Sequence, residues 1–289
     1  MHYKFIKLQD FVSNYNPLYP TQETLEGFKQ SLEVYFKDIV KAVENKESEE
    51  HQKNILRDFL KQTFAYECNT KGRIDLAIYE YSTPKVIFET KPLAHKKMNL
   101  LGGGGKTTLD TNTLEDTPNI IRLESKALYE SILYYLRESL THKNNNLSFI
   151  LLSNTRDFYF IDTKEFVQFT KHKDIIKAFK NCEHKEGNDT STQKFYDELK
   201  LLLPSLDSTL AFTHFALTQS LLAENLHTSL LPLIYQALSP AVLLKRKSYI
   251  DASTLNVGFY NELLYILGLE EQRQNGKVLI KANAAKIRS

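Results

Sequence analysis

Gly72-Arg-Ile-Asp-Leu-Ala-Ile-Tyr-Glu-Tyr-Ser-Thr-Pro-Lys-Val-Ile-Phe-Glu-Thr-Lys91 reads as two short strands joined by a turn. Ile74, Leu76 and Ile78 alternate with Asp75, Ala77 and Tyr79, and Val86, Ile87 and Phe88 form a second apolar run. Ser82-Thr83-Pro84 supplies turn chemistry between them, so an antiparallel hairpin with buried apolar faces is expected. Three charges interrupt it: Asp75 in the first strand, Glu89 and Lys91 at the end of the second. A carboxylate in a core strand is costly unless it is paired or holds a metal. Glu89 and Lys91 are two apart and share one strand face, which Asp75 reaches from the neighbouring strand. Two carboxylates and an ammonium converging there describe a hard-cation site with a lysine beside it. The competing reading is an ordinary hairpin carrying a surface Glu–Lys pair.

Outward from the hairpin, periodicity sets the remaining elements. Leu25, Phe28, Leu32, Phe36, Ile39 and Val43 make one apolar stripe and predict a helix over 21–43. A second helix, 50–63, buries Ile55, Leu56, Phe59 and Leu60, and its first residue, Glu50, is favoured there by the helix dipole. Glu50 is also a candidate third carboxylate if it turns inward toward Asp75. Downstream, a helix is expected over 124–140, with Tyr129, Tyr134 and Tyr135 as packing residues and Lys126 and Arg137 exposed. Strands follow over 147–153 and 158–162, then a short helix over 173–180 and a polar linker over 181–193. The order helix, helix, hairpin, helix, strand, strand predicts an α/β domain with a mixed sheet flanked by helices. From residue 195 the apolar segments have helical length and are broken by Pro204, Pro232, Pro240 and Gly268, with a strand expected only over 277–281. Two units are therefore expected, 1–194 and an all-helical connector, 195–289. His214 and His227 read as isolated packing or surface residues.

Composition narrows the classes. With 42% hydrophobic and 25% charged residues the chain is globular, not disordered, and no apolar run approaches a membrane span. A net charge of +2 places any nucleic-acid contact on a local patch. Two cysteines in 289 residues point to a reducing, cytoplasmic setting. Gly102-Gly103-Gly104-Gly105-Lys106-Thr107 imitates a phosphate-binding loop, but Leu100 stands where the first glycine is needed. Asn16-Pro17-Leu18-Tyr19 imitates a methyltransferase loop, yet no strand or glycine turn precedes it, and it reads as a helix-leading turn. The stretch 102–119 is a long loop, and Lys96, Lys97, Lys106 and Lys126 are candidates for phosphate contacts.

Asp75 followed by a strand ending Glu89-Thr90-Lys91 resembles the PD-(D/E)XK nuclease motif, with Ile74 where the motif's name has Pro. Several segments in order are similar to the N-terminal region of type IIG restriction enzymes: residues 50–54, 69–79, 86–91, 126–138, 147–162 and 259–271. Those bacterial polypeptides fuse a PD-(D/E)XK nuclease, a helical connector, an adenine-specific DNA methyltransferase and a target-recognition domain. The resemblance implies a restriction-endonuclease-like sheet and Mg²⁺-dependent hydrolysis of double-stranded DNA, with Mn²⁺ as a substitute. It implies Asp75, Glu89 and Lys91 as catalytic residues with Glu50 as the helix carboxylate. Asp75, Glu89, Glu50 and the Thr90 carbonyl would be metal ligands. A methyltransferase and specificity portion would lie in a longer polypeptide, and a homodimer is compatible. No S-adenosylmethionine site and no methyltransferase activity are expected in these residues. The alternative is a non-enzymatic module that binds DNA without sequence preference.

Overall fold

In the computed structural model the described residues are 1–71, 74–91, 126–185, 189–223, 230–246, 263, 264, 266–274 and 277–282. The chain divides into two compact units, Met1–Arg246 and Lys247–Ser289. In order, the first contains β1 (His2–Phe5), α1 (Leu8–Ser13), α2 (Gln22–Glu44), α3 (Glu49–Phe64), β2 (Glu67–Lys71), β3 (Ile74–Glu80) and β4 (Thr83–Thr90). It continues through α4 (Lys126–Leu136), β5 (Phe149–Ser153), β6 (Asp157–Asp162), α5 (Val167–Lys171), α6 (Lys173–Cys182) and α7 (Thr190–Leu202). It ends with β7 (Thr209–Ala216), α8 (Leu231–Leu238) and α9 (Pro240–Leu243).

The strands form one mixed seven-stranded open sheet in the order β1-β7-β6-β5-β4-β3-β2. β1 runs parallel to β7 and β4 parallel to β5, while the remaining neighbours are antiparallel. Alternation along each strand feeds two separate cores. Leu76, Ile78, Val86, Phe88, Phe149 and Phe160 pack beneath the layer of α1, α2, α3, α8 and α9. On the opposite face Ala77, Ile87, Ile150, Leu152, Tyr159 and Phe212 pack beneath α4 to α7. The result is an α/β protein whose sheet is covered on both sides.

Local chemistry sets the helix ends. The Thr21 and Ser48 hydroxyls accept from the N–H groups of Thr24 and His51, at 3.2 and 3.1 Å, and so cap α2 and α3. The hairpin forms as expected but turns earlier than Ser82-Thr83-Pro84. Tyr81 and Ser82 occupy its tip with φ of 50° and 65°, and Pro84 already pairs with Tyr79 inside β4. Two consecutive positive φ values match the twist that a two-residue hairpin connection needs. The helix expected over 124–140 stops as α-helix at Leu136 and continues as a π-helical turn, Arg137–Thr141.

Three strands of the sheet depart from the sequence reading. β2, over Glu67–Lys71, was not anticipated and pairs antiparallel with β3 at the sheet edge. Residues 209–216, read as helix in the connector, form β7 inside the sheet. Its Leu210 and Phe212 enter one core and Phe215 the other. A strand buried on both faces carries an apolar pattern that also fits a helix, so periodicity could not separate the two. The compact unit accordingly runs past residue 194 to Arg246. β1, not anticipated, is four residues whose Tyr3 and Phe5 are only partly buried.

The second unit, described by itself, contains an antiparallel hairpin of β8 (Leu269–Gln274) and β9 (Lys277–Ala282), with Leu269 opposite Ala282. β9 matches the expected strand; β8 lies where none was expected. No helix among the described residues is long and apolar enough to cross a membrane.

Both cysteines are free and buried, and burial pushes the thiols of Cys68 and Cys182 up to about 12 and about 11. Neither should react with a disulfide reagent at pH 8 in the folded protein, and both should react in denaturant. Because β7 is integral to the sheet, a polypeptide of residues 1–246 should unfold cooperatively in urea, while one of residues 1–194 should show no such transition.

Candidate active site

The site is built where β4 ends beside β5. Val86 and Phe88 point into the core under α2 and α3, so the pleat sends Ile87 and Glu89 to the other face, under α4. Glu89 is only 1% exposed. Thr90 is paired with Ser153, and the Lys91 N–H donates to the Ser153 carbonyl at 2.8 Å, fixing the strand end to β5. From this anchored backbone the Lys91 ammonium donates to Glu89 Oε1 at 2.5 Å and to Glu130 Oε2 at 2.6 Å. Glu130 stands on α4, held over the sheet by Leu128, Ile132 and Leu133, and its side chain is 13% exposed. Lys126, one turn earlier and mostly exposed, places its Nζ 3.5 Å from Glu130 Oε1.

The four side chains form an alternating row, Glu89, Lys91, Glu130, Lys126. Burial alone would push the Lys91 ammonium down, but the adjoining Glu89 and Glu130 carboxylates more than offset it, and its pKa lies above the ordinary lysine value. Burial works against the Glu130 carboxylate too; a hydrogen bond that it can accept only from a protonated Glu89, together with the bonds and charge of Lys91, brings it below its usual range. The phenol of Tyr196 on α7 is raised, first by burial and then by the charge of Glu130, with Arg137 opposing and Glu89 adding.

Asp75 occupies β3, and its backbone position follows from register. Leu76 lies opposite Phe88, so one step along the antiparallel ladder sets residue 75 beside Glu89. The Asp75 side chain lies outside the described residues, as do Lys96, Lys97, Lys106 and the loop 102–119. Lys126 and Thr90 are at the site. Glu50 is not. It sits in the first turn of α3, the helix layer on the opposite face of the sheet, with its side chain 61% exposed and 3.1 Å from Lys53. The helix-end position that favours a carboxylate also leaves it in solvent. Arg137, expected on the surface, is buried: its guanidinium donates to the carbonyls of Glu183, Cys182 and Lys185 at 3.1, 3.1 and 2.6 Å.

Glu130 was missed, although the sequence holds a signal for it. It is the one carboxylate in α4, within KALYESILYYL, where an acid on a nearly apolar helix calls for a partner. A second polar cluster closes the adjoining strands. His214 Nε2 lies 3.0 Å from Asp157 Oδ1, and the His214 ring packs on Tyr159 with centroids 4.5 Å apart. Asn154 Oδ1 accepts from the N–H groups of Arg156 and Asp157 at 3.0 and 2.7 Å, and Thr155, buried at φ 71°, gives its carbonyl to the Tyr35 hydroxyl. His214 is therefore partnered, not isolated. The register row Glu89–Leu152–Tyr159–His214 separates it from Glu89 by three strand spacings, about 14 Å, so it ties β6 to β7 rather than joining the Lys91 cluster.

Hard cations prefer carboxylate and carbonyl oxygens, and Glu89, Glu130 and the Thr90 carbonyl are donors of that kind. Among the described residues no group of three His, Cys, Asp or Glu is placed to hold a metal ion. The oxygen set thus fits a divalent cation only with Asp75 as its third carboxylate.

Fold and site together define a mixed-sheet α/β protein with a buried acid–lysine–acid cluster at the ends of adjacent parallel strands. The chain belongs to the family described as a domain of unknown function, DUF7149, whose family model matches residues 6–251. A second model of the same description, DUF7814, matches residues 252–289. No curated protein and no solved structure matches the chain.

Removing the cation from this cluster should expose its cost. Lys91→Met should lose about 3 kcal/mol of stability at pH 7, because Glu89 is left buried against a second carboxylate. Two carboxylates so placed raise a pKa in the folded state, so the deficit should shrink as pH falls from 7 toward 4.5. Urea denaturation of both proteins at the two pH values measures this.

Proposed function

We propose that this chain is a Mg²⁺-dependent DNA endonuclease of the PD-(D/E)XK type, corresponding to the nuclease part of a type IIG restriction–modification enzyme. The observation that carries the reading is Lys91 held at 2.5 and 2.6 Å between Glu89 and Glu130 at the end of β4, with Asp75 beside Glu89 in register. The E-x-K pair and the Asp are thus brought together by adjacent antiparallel strands, and β5 fixes the one that carries the E-x-K pair. The mixed sheet with helices on both faces is compatible with the restriction-endonuclease-like arrangement. Glu130 takes the part first given to Glu50, an acid brought to the site from a helix.

In this reading Asp75, Glu89 and the Thr90 carbonyl would hold the divalent cation, and Glu130 is the further carboxylate of the cluster. When bound, the cation polarises the scissile phosphate and lowers the pKa of a water. Lys91 keeps its proton throughout the neutral range, since its pKa is raised; it orients the attacking water and donates to the charge that develops on the phosphoryl oxygens, and it does not act as the base. Glu130 positions that ammonium and is steadied by Lys126. Glu89 near the end of β4 and Lys91 one step beyond it are held between β3 and β5 in the sheet interior, which supplies the fixed geometry such charge stabilisation needs.

Nicking of supercoiled plasmid in Mg²⁺ tests the proposal. Asp75→Asn, Glu89→Gln and Lys91→Ala should each lower the rate by about 10²–10³-fold or more while circular dichroism stays unchanged. Glu50→Gln should cut at the wild-type rate. Wild-type cutting by any of the first three variants rejects the site.

A further inference from the structure

We propose that the α5–α6 edge of the domain is a docking groove for the sugar–phosphate backbone of double-stranded DNA, separate from the Glu89–Lys91 site. A groove of about 450 Å³ opens there, lined by Lys171, Lys173, Lys177 and Lys180 with Thr170, Ile176 and Asn181, and no carboxylate is in its lining. All four lysines are exposed. None of them forms an ion pair among the described residues. The sequence reading had no use for them: it gave 173–180 only as a short helix.

The arrangement disfavours the free protein. Lys173 and Lys177 are like charges one helical turn apart, and Lys177 and Lys180 repeat that at three residues. Lys173 opens α6, the end of a helix where the dipole opposes a cation. The amphipathic pattern needs only that Ile175, Ala178, Phe179 and Cys182 face inward, and a neutral or mixed-charge outer face would serve that equally well. Over 171–185 five lysines (Lys171, Lys173, Lys177, Lys180, Lys185) face two acids (Asp174, Glu183), a balance of +3 against +2 for the whole chain; Lys164 and Glu165 lie before this stretch, Lys164 paired with Asp162. One of those two acids is engaged elsewhere: Glu183 accepts from the Thr141 hydroxyl. The local excess of positive charge is thus concentrated at one concave surface, the electrostatic footprint of a polyanion.

Three features favour a nucleic-acid backbone over other anions. Lys173 to Lys180 spans seven residues of helix, about 10 Å, so the cations form a row suited to successive phosphates rather than a point suited to one. A membrane surface would need a cluster of apolar anchors, and this edge offers only the half-buried Ile176 and the marginally exposed Val167. α6 also lies in the same helix layer as α4, to whose continuation it is bound through Arg137 and the carbonyls of Cys182, Glu183 and Lys185. The groove is therefore in fixed register with Lys126 and Glu130. This inference rests on the nuclease reading for its choice of polyanion.

The test is fluorescence anisotropy with a labelled duplex of random sequence, without divalent cation, between 50 and 200 mM NaCl. The full chain is compared with the variant Lys171→Gln/Lys173→Gln/Lys177→Gln/Lys180→Gln and with Glu89→Gln. If each lysine neutralises one phosphate, the slope of log K against log salt should fall in magnitude by about 3–4 in the quadruple variant. Binding at 50 mM NaCl should weaken at least about tenfold, in line with that counterion term. Glu89→Gln, which leaves the four lysines in place, should keep the wild-type salt slope and lose nicking. An unchanged slope and affinity in the quadruple variant, or no salt-dependent duplex binding by the wild type, overturns the groove. Equal losses toward polyglutamate at matched charge overturn DNA as its partner in favour of an acidic protein. If no protein nicks DNA but the quadruple variant still loses duplex binding, the nuclease reading fails and the groove stands.

Discussion

A carboxylate at 1% exposure in a central strand is the constraint on which the site depends. Left alone, Glu89 would cost several kcal/mol or take up a proton. Lys91, two residues on and on the same strand face, supplies the counter-charge, but one ammonium between two acids needs a second anchor to stay in place. α4 provides it through Glu130 and adds Lys126 as an outer counter-ion. The helix can lie that close because its neighbouring residues are apolar and seal the sheet face around the charges. Buried ion pairs of this kind are weak sources of stability and narrow specifiers of geometry. Here the geometry is that of the β4 terminus, fixed a second time by the hydrogen bond from Lys91 to Ser153.

The hairpin was legible because its residues carry two independent signals that agree. Alternation gave the strands, and the charges at the end of the apolar run marked where the buried face needed partners. The long helices α2 and α3 were legible for a similar reason, since stripes of six and four apolar residues sustain one period and polar caps stand at their starts. β7 was hidden because both its faces are covered, which removes the alternation that distinguishes a strand. β1 was hidden by its length, as four residues hold too little pattern. In each case the missing information is tertiary: the strand is defined by what packs on it.

The same division runs through the site. Glu89 and Lys91 are two residues apart, so local geometry alone joins them. Glu130 is 41 positions beyond Glu89, and only the packing of α4 on the sheet brings it there. Glu50 illustrates the opposite error. A helix preceding the hairpin looks well placed to contribute an acid, but α3 covers the face of the sheet away from Glu89. Strand parity decides this, because Val86 and Phe88 belong to the α3 side and Glu89 does not. His214 and Asp157 were separated by 57 residues of sequence and are joined by the antiparallel pairing of β6 with β7. Sequence distance, not chemical type, governed what could be seen.

The parallel pairing of β1 with β7 has a consequence for how the protein is made. His2 to Phe5 find their partners at Thr209 to Phe212, across some two hundred residues. At about 5–20 residues per second of synthesis, the first strand waits on the order of 10–40 s before its neighbour exists. From its own synthesis until β7 is made, about fifty residues later, β6 too has an open edge, since β7 fills the place between them. The sheet must therefore grow from its middle, around the β3–β4 hairpin and β5, and close at the flank where the two ends of the domain meet. Such non-local closure belongs to the slow end of folding, and it leaves strand edges unpaired until β7 is made.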